Sequence, residues 1–425
     1  MKLRLRTAKV WNAVTRHCFH SFGDLSPKQG RVQRPGDKVD SYPCVRRRPV
    51  DFGNRGRSRA LHSPGLRNKA RLVLTLPLSF RRLGFAIAYL FAANMSAQPT
   101  NWTGPAPGIA SELQSAARQF QKFDVVLAPD KDEAEHWAGA PSVTRDERGV
   151  FWMAARMRSP EYARGLRGYE IRLLRSTNGI QFERVKSIRR EDVPIPGFER
   201  PAFLFNPATK KFKLYACGPW KDGHWAILKF DDADSPEKIK PATARPVIQA
   251  PAPRYERDVS VTEYKDPVII RAEGKYHCYV IGYIRKNERI FHYTSDDGEK
   301  WQPAGDVNKP VMDLTGWHNF FVRPSSVLPL GVGYVFVYEG SSTQWFDPVY
   351  NIGIGLGFTF DLHHVTELTT ASPLALSTTP GNFHTFRYSD WHWVKGEIWV
   401  YAEVSKANSA HEIRLFRIPV TGAER

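Results

Sequence analysis

A recurrence with a period near 60 residues constrains this chain more than any other feature. A small or charged residue, a proline and a short apolar run return four times: Ala140-Pro141-Ser142-Val143, Arg200-Pro201-Ala202-Phe203-Leu204, Asp266-Pro267-Val268-Ile269-Ile270 and Arg323-Pro324-Ser325-Ser326-Val327. Their prolines lie 60, 66 and 57 residues apart. Each landmark is followed by a turn and an aromatic-rich run, as in Gly149-Val-Phe-Trp-Met153, Lys211-Phe-Lys-Leu-Tyr215, Gly274-Lys-Tyr-His-Cys-Tyr279 and Gly333-Tyr-Val-Phe-Val-Tyr338. A divergent fifth copy opens at Tyr388-Ser389-Asp390-Trp391 and continues through Gly396-Glu-Ile-Trp-Val-Tyr401. Short β-branched and aromatic runs between Gly, Pro, Asn and Asp turns read as strands.

A second signature recurs in step. Ser176-Thr-Asn178-Gly179-Ile-Gln-Phe182 matches Ser295-Asp-Asp297-Gly298-Glu-Lys-Trp301, with weaker copies at Thr359-Phe-Asp361-Leu362 and Phe230-Asp-Asp-Ala-Asp234. Asn-Gly and Asp-Gly supply the positive φ of a tight hairpin turn, and the aromatic three residues on is expected to be buried between sheets. Five units of three or four strands each predict an all-β fold, a five-bladed β-propeller over 123–420. A sandwich predicts no such period. The run 123–127 is expected to pair with the last unit and cover its edge.

Charge divides the chain. Of 61 Lys+Arg and 43 Asp+Glu, net +18, residues 1–94 hold 20 basic and 4 acidic residues, so the rest is nearly neutral at +2. The basic segment has no sustained period and reads as a non-globular extension. A nucleic-acid arm would use such arginines, but it lacks patterned aromatics, so no nucleic-acid partner is expected. Met95 is the first methionine after Met1, and a start there makes the upstream part an over-extended reading frame and the protein cytoplasmic. The competing reading is export: Arg81-Arg82 precedes an apolar run, and 79–97 has the make-up of a signal segment. Residues 95–122 read as a linker with a short helix over 109–123. No apolar run reaches the length of a membrane span, so no membrane partner is expected. Cys18, Cys44, Cys217 and Cys278 have neither disulfide nor zinc spacing.

In a propeller the innermost strands bring residues from distant units around one axis. Those strand starts are unusually charged: Glu199-Arg200, Asp266, Arg323 and Asp390, with Glu135-His136-Trp137 upstream of the first. Burying such charges is costly unless a polar ligand or ion pairs compensate. Arg200 and Arg323 paired with Asp266 and Glu199 would be a purely structural arrangement.

Three features resemble the five-bladed glycoside hydrolases, the superfamily of families 32, 43, 62, 68, 117 and 130. They are Tyr264-Lys265-Asp266-Pro267, Phe198-Glu199-Arg200-Pro201 and the Ser-x-Asp-Gly-x-x-Trp hairpin. The resemblance implies cleavage of a glycosidic bond between two carboxyls, one protonated and one ionised. It implies Glu199 as the acid and Asp266 as the base or the group that tunes the acid. Arg200 and Arg323 would bind substrate, an anionic sugar included. Where these families carry a first-unit Asp, this chain has Gly139-Ala140-Pro141, so Glu135, Asp390 or Glu339 is expected to replace it. Trp137, Trp317, Trp345 and Trp391 are candidates to stack on sugar faces, with His384 near Asp390 as a further substrate contact. No cofactor is expected. No spacing compels a metal, although His384 or His318 could assist a structural divalent cation. A glycan-binding propeller without turnover and a phosphate-dependent phosphorylase remain alternatives to a glycosidase.

Overall fold

Strong β formers between turn residues fold as strands throughout. The computed structural model describes residues 120–163, 165–250, 261–285, 287–376 and 383–420. The segment 1–94, the signal-like run 79–97 and nearly all of the 95–122 linker with its expected helix lie outside them. Among the described residues there is no α-helix, only short 3-10 turns.

Three antiparallel four-stranded sheets stand alone, each paired in sequence order. The first holds β6 (Ala202–Asn206), β7 (Lys211–Pro219), β8 (Trp225–Lys229) and β9 (Arg245–Gln249). The second holds β10 (Tyr264–Ala272), β11 (Lys275–Ile284), β12 (Asn287–Ser295) and β13 (Gln302–Pro303). The third holds β14 (Phe321–Pro329), β15 (Tyr334–Ser341), β16 (Gly353–Thr359) and β17 (Thr366–Glu367). An eight-stranded sheet contains the rest. One half is β2 (Trp137–Arg145), β3 (Phe151–Arg158), β4 (Gly168–Ser176) and β5 (Glu183–Arg189). The other is β18 (Phe386–Val394), β19 (Glu397–Ser405), β20 (His411–Pro419) and β1 (Asp124–Leu127). The halves meet at a single parallel pairing, Trp137 with His411. β1 pairs antiparallel with β20, which satisfies an edge that would otherwise be open.

The first strands of these units contact one another in cyclic order: β2 with β6, β6 with β10, β10 with β14, β14 with β18, and β18 with β2. Apolar cores fill the spaces between successive units. Trp152, Leu173, Phe212 and Leu214 share one, and Val337, Leu356, Trp391 and Val400 share another. Each fully buried side chain of this size contributes about 1.5–3 kcal/mol.

Tyrosines stitch the units at a repeated point. Tyr401 of β19 donates to the Gly179 carbonyl at 2.8 Å, and Tyr215 of β7 donates to the Gly298 carbonyl at 2.7 Å. Gly179 and Gly298 do have positive φ, +73° and +74°. The turns are nevertheless wider than a tight hairpin: six residues separate β4 from β5, and Ser176 and Ser295 Oγ each accept the glycine N–H. Phe182 and Trp301 are half-buried, edge-on to Tyr401 and Tyr215.

The X-Pro landmark is not a strand start in three of its copies. β2, β10 and β14 each begin two or three residues earlier, and the landmark lies within the strand at a bulge. In β2, Ala140-Pro141 stand where one residue of β3 would suffice; in β10, Asp266-Pro267 do; in β18, Tyr388-Ser389 do. The first residue of each bulge is left-handed, with φ of 50°, 53° and 52° for Ala140, Asp266 and Tyr388. Such a conformation costs a non-glycine residue about 1–3 kcal/mol and persists where it re-aims a side chain.

Candidate functional site

The bulges turn side chains toward the middle of the strand ring, where charge accumulates. Among the described residues, six basic groups meet there: Arg156 and Arg158 from β3, Arg200, Lys265, Arg323 and Arg387. Five carboxyls face them: Glu199, Asp266, Glu288 of β12, Glu339 and Glu403. All are buried except Lys265, which is half-buried.

Asp266 is held by four hydrogen bonds with three residues. It accepts the Arg200 backbone N–H at 3.0 Å, the Tyr388 phenol at 3.0 Å and the Cys217 thiol at 3.4 Å, while its own N–H donates to Cys217 Sγ at 3.1 Å. Burial raises its pKa, but Lys265, the Arg200 N–H and the guanidiniums of Arg156 and Arg323 outweigh burial and hold it below the usual carboxylate value.

Glu339 goes the other way. It accepts Ser325 Oγ at 3.1 Å and the Tyr388 backbone N–H on Oε1, while Oε2 has no partner among the described residues. Burial pushes its pKa up to about 7, against the pull of Arg200 and Arg323. Two carboxyls bound to one tyrosine are thus driven apart in pKa.

Glu403 of β19 lies against Gly139-Ala140 of the first unit. Gly139 leaves it room, since a methyl group there would fall 1.8 Å from Glu403 Oε2. The Ala140 N–H donates to the same oxygen at 3.0 Å. Arg156 binds it at 3.1 Å, Arg387 at 2.6 Å and His411 Nδ1 at 2.7 Å. Burial opposes ionisation, yet Arg387 and Arg156 hold its pKa well below the usual value, and burial lowers His411 to about 4.

The structural alternative for the arginines is corrected in its partners. The Arg200 guanidinium donates not to a carboxylate but to the Pro324 and Ser325 carbonyls, at 3.1 and 2.7 Å. Arg323 pairs with Glu288, which Lys265 also binds at 2.6 Å. Glu199 pairs with Arg156, and its other oxygen lies 3.8 Å from Arg158.

Several expected contacts fall elsewhere. Glu135 is on the rim, paired with Arg167 at 2.8 Å. Asp390 accepts the Val143 N–H at 2.6 Å, a bond between β18 and β2, and pairs with His392 at 3.1 Å. Trp391 is buried against Phe120, and its indole N–H donates to Ser389 Oγ at 2.9 Å, so it offers no face to a sugar. Trp137 is likewise buried, stacked on His411 at 4.1 Å with the guanidiniums of Arg158 and Arg387 against its ring. Trp317 is buried and Trp345 half-buried, stacked together at 6.0 Å. His384 is exposed on the segment leading into β18, its N–H donating to Asn351 Oδ1. His318 is buried against Glu367 at 2.9 Å. Among the described residues, no group of three or more His, Cys, Asp or Glu side chains could hold a metal ion.

Sequence reasoning missed Arg156, Arg158, Glu288, Arg387 and Glu403. Four of these carried a readable signal: a charge at the end of an otherwise apolar second strand, as in Phe151-Trp-Met-Ala-Ala-Arg156-Met-Arg158 and Trp399-Val-Tyr-Ala-Glu403, or just before the fifth landmark, as in Arg387.

Solved structures supply the comparison. The chain superposes on BT0996, solved as a complex with RGII, with TM-score 0.55 and 11 % identity, covering 73 % of this protein and 96 % of that one. A glycosyl hydrolase from Bacteroides ovatus gives 0.52 at 13 % identity, covering 70 % and 96 %. A family 32 β-fructofuranosidase from Bombyx mori gives 0.50 at 12 %, covering 75 % and 69 %. The fold is that of the propeller-type glycoside hydrolases. At these identities the likeness is one of fold. No protein-family model matches the chain, and no curated protein does.

Proposed function

We propose that the chain is a five-bladed propeller, its eight-stranded sheet being two blades joined by one bridge, and that it cleaves a glycosidic bond at the centre of the ring. One observation carries this reading: within one buried cluster, Asp266 is kept ionised while Glu339 keeps its proton to about pH 7. Paired carboxyls pushed apart in pKa are what glycoside cleavage requires. Asp266 is the ionised partner. Glu199, the acid implied by the motif, is engaged by two guanidiniums, so the proton-donor role goes to Glu339. Because Glu339 is fully buried, substrate must open the cluster by taking over its hydrogen bonds. The test is hydrolysis of a panel of aryl and oligosaccharide glycosides, with and without phosphate, by the wild type and Glu339→Gln. Turnover by the wild type that falls at least a hundredfold in the variant supports the reading; equal turnover defeats it. A requirement for phosphate would make the enzyme a phosphorylase.

A second reading, a glycan-binding propeller without turnover, is favoured by one feature. The bulge position that carries Asp266 in β10 carries Ala140 in β2, and the acid beside it, Glu403, is committed to Arg156, Arg387 and His411. Sugar binding across the panel with no product would select it.

A further inference from the structure

Most of the charges in the central cluster have close partners. A buried charge without them is unfavourable unless a counter-charge arrives. Arg156 binds two glutamates, Arg387 binds Glu403 on two nitrogens, Lys265 and Arg323 share Glu288, and Arg200 is capped by two carbonyls.

Arg158 has only a loose ion pair, with Glu199, among the described residues. Its side chain is only 6 % exposed, yet the carboxylate nearest it is Glu199 Oε1 at 3.8 Å, on a glutamate already taken by Arg156. Its Nε makes no hydrogen bond to any described residue. The guanidinium lies over the Trp137 ring, 4.6 Å from the centroid, and a guanidinium stacked in this way can still offer its edge to a ligand. Burial lowers its pKa, with the positive charges of Arg156 and Arg387 adding to burial and Glu199 opposing it. A planar guanidinium whose Nε–H has no partner among the described residues is suited to a carboxylate or sulfate, which it can bind with two parallel hydrogen bonds.

We propose that the site takes an acidic sugar, a glycan unit bearing a carboxylate or sulfate group, and that this group docks on Arg158 beside Glu199. The inference rests on the reading of the centre as a glycan site and adds the class of glycan.

The test is calorimetric titration of the full chain with glucuronic acid, glucose 6-sulfate, glucose and inorganic sulfate. At least one of the acidic sugars is expected to bind tenfold or more tighter than glucose. The carboxylate and sulfate arms say which group is preferred. Arg158→Gln is expected to bring that ratio to about one, and Arg158→Lys, which keeps the charge but not the fork, to retain part of it. Circular dichroism of both variants checks the fold, and the lysine variant decides alone if the glutamine one does not fold. The proposal is overturned if neither acidic sugar binds, if glucose binds as tightly, if the preference is undiminished in the variants, or if inorganic sulfate matches the acidic sugar. Acidic-sugar preference without turnover would leave this inference standing and remove the glycosidase reading. Turnover of neutral glycosides without such preference would do the reverse.

Discussion

Tyr388 donates its phenol O–H to Asp266 Oδ2 at 3.0 Å, joining side chains 122 residues apart in sequence. The same residue donates its backbone N–H to Glu339. Its left-handed backbone, φ 52°, makes both bonds possible from one position. The guanidiniums of Arg156, Arg200 and Arg387 surround its ring at 4.9–5.6 Å. Tyr388 therefore sets the relative placement of the two carboxyls assigned to the chemistry.

Removing the phenol tests that placement. Tyr388→Phe deletes one hydrogen bond to ionised Asp266 and leaves the ring among the guanidiniums. A hydrogen bond to a charged group contributes about 1.5–3 kcal/mol, so kcat is expected to fall roughly 10- to 100-fold. The Asp266 pKa should rise, moving the acid limb of the pH–rate profile upward. An unmoved limb would show that the phenol does not act on Asp266.

Glu339 predicts the alkaline limb. A carboxyl with a pKa of about 7 loses its proton as pH rises through neutrality, so kcat should decline above pH 7. Glu339→Gln keeps a neutral side chain of the same shape and loses the proton; the expected fall is about 10²–10⁴-fold. The sign for stability is opposite to that for activity. The unfolded glutamate ionises near pH 4.5 and the folded one near 7, so the wild type loses stability as pH rises between those values. The variant should therefore be more stable than the wild type at pH 8, read from melting temperatures.

Glu403 holds the cluster together. Glu403→Gln would leave Arg156 and Arg387 without their shared counter-charge in a buried setting, and loss of one member of such a pair costs about 3–5 kcal/mol. Chemical denaturation measures this. Asp132→Asn, which removes an exposed partner of Lys406, should leave the denaturation midpoint unchanged.

A chain of imidazoles away from the centre predicts acid sensitivity. His277 Nδ1 lies 3.0 Å from His292 Nε2, and His292 Nδ1 lies 3.2 Å from His363 Nδ1. Burial, then the neighbouring histidines, lowers His292 to about 3, and burial lowers His277 and His363 as well. Unfolded histidines take protons near pH 6.5. Their contribution is complete above pH 6.5 and is lost progressively as pH falls toward the folded values. The melting temperature should drop between pH 7 and 5. His292→Phe, which keeps a ring stacked on Tyr279, should show a smaller drop; an identical drop would remove the histidine chain as its cause.

The architecture was largely legible because its signals are local and repeated. Pro141, Pro201, Pro267 and Pro324 mark the period, and Gly179 and Gly298 do adopt positive φ. What each proline does was not legible: Ala140-Pro141 and Asp266-Pro267 are bulges, and bulging depends on the partner strand. The centre was half legible. Glu199, Arg200, Asp266, Arg323 and Glu339 do converge there, while Asp390 and Glu135 bind elsewhere. Glu403 was hidden because its role depends on space left by Gly139, 264 residues earlier in the chain. Tryptophans near the landmarks could not be divided between core and surface, since the burial of Trp391 depends on residues distant in sequence, such as Phe120 and Leu328.

Bond cleavage at the ring centre, with Asp266 as the ionised carboxylate, is the central claim. The direct measurement is product formation from the glycoside panel by wild type and Asp266→Asn, both checked for an intact fold. We predict turnover of at least one glycoside by the wild type and a loss of about a thousandfold or more in the variant. Full activity in Asp266→Asn, or no product from any glycoside with the wild type, would contradict it.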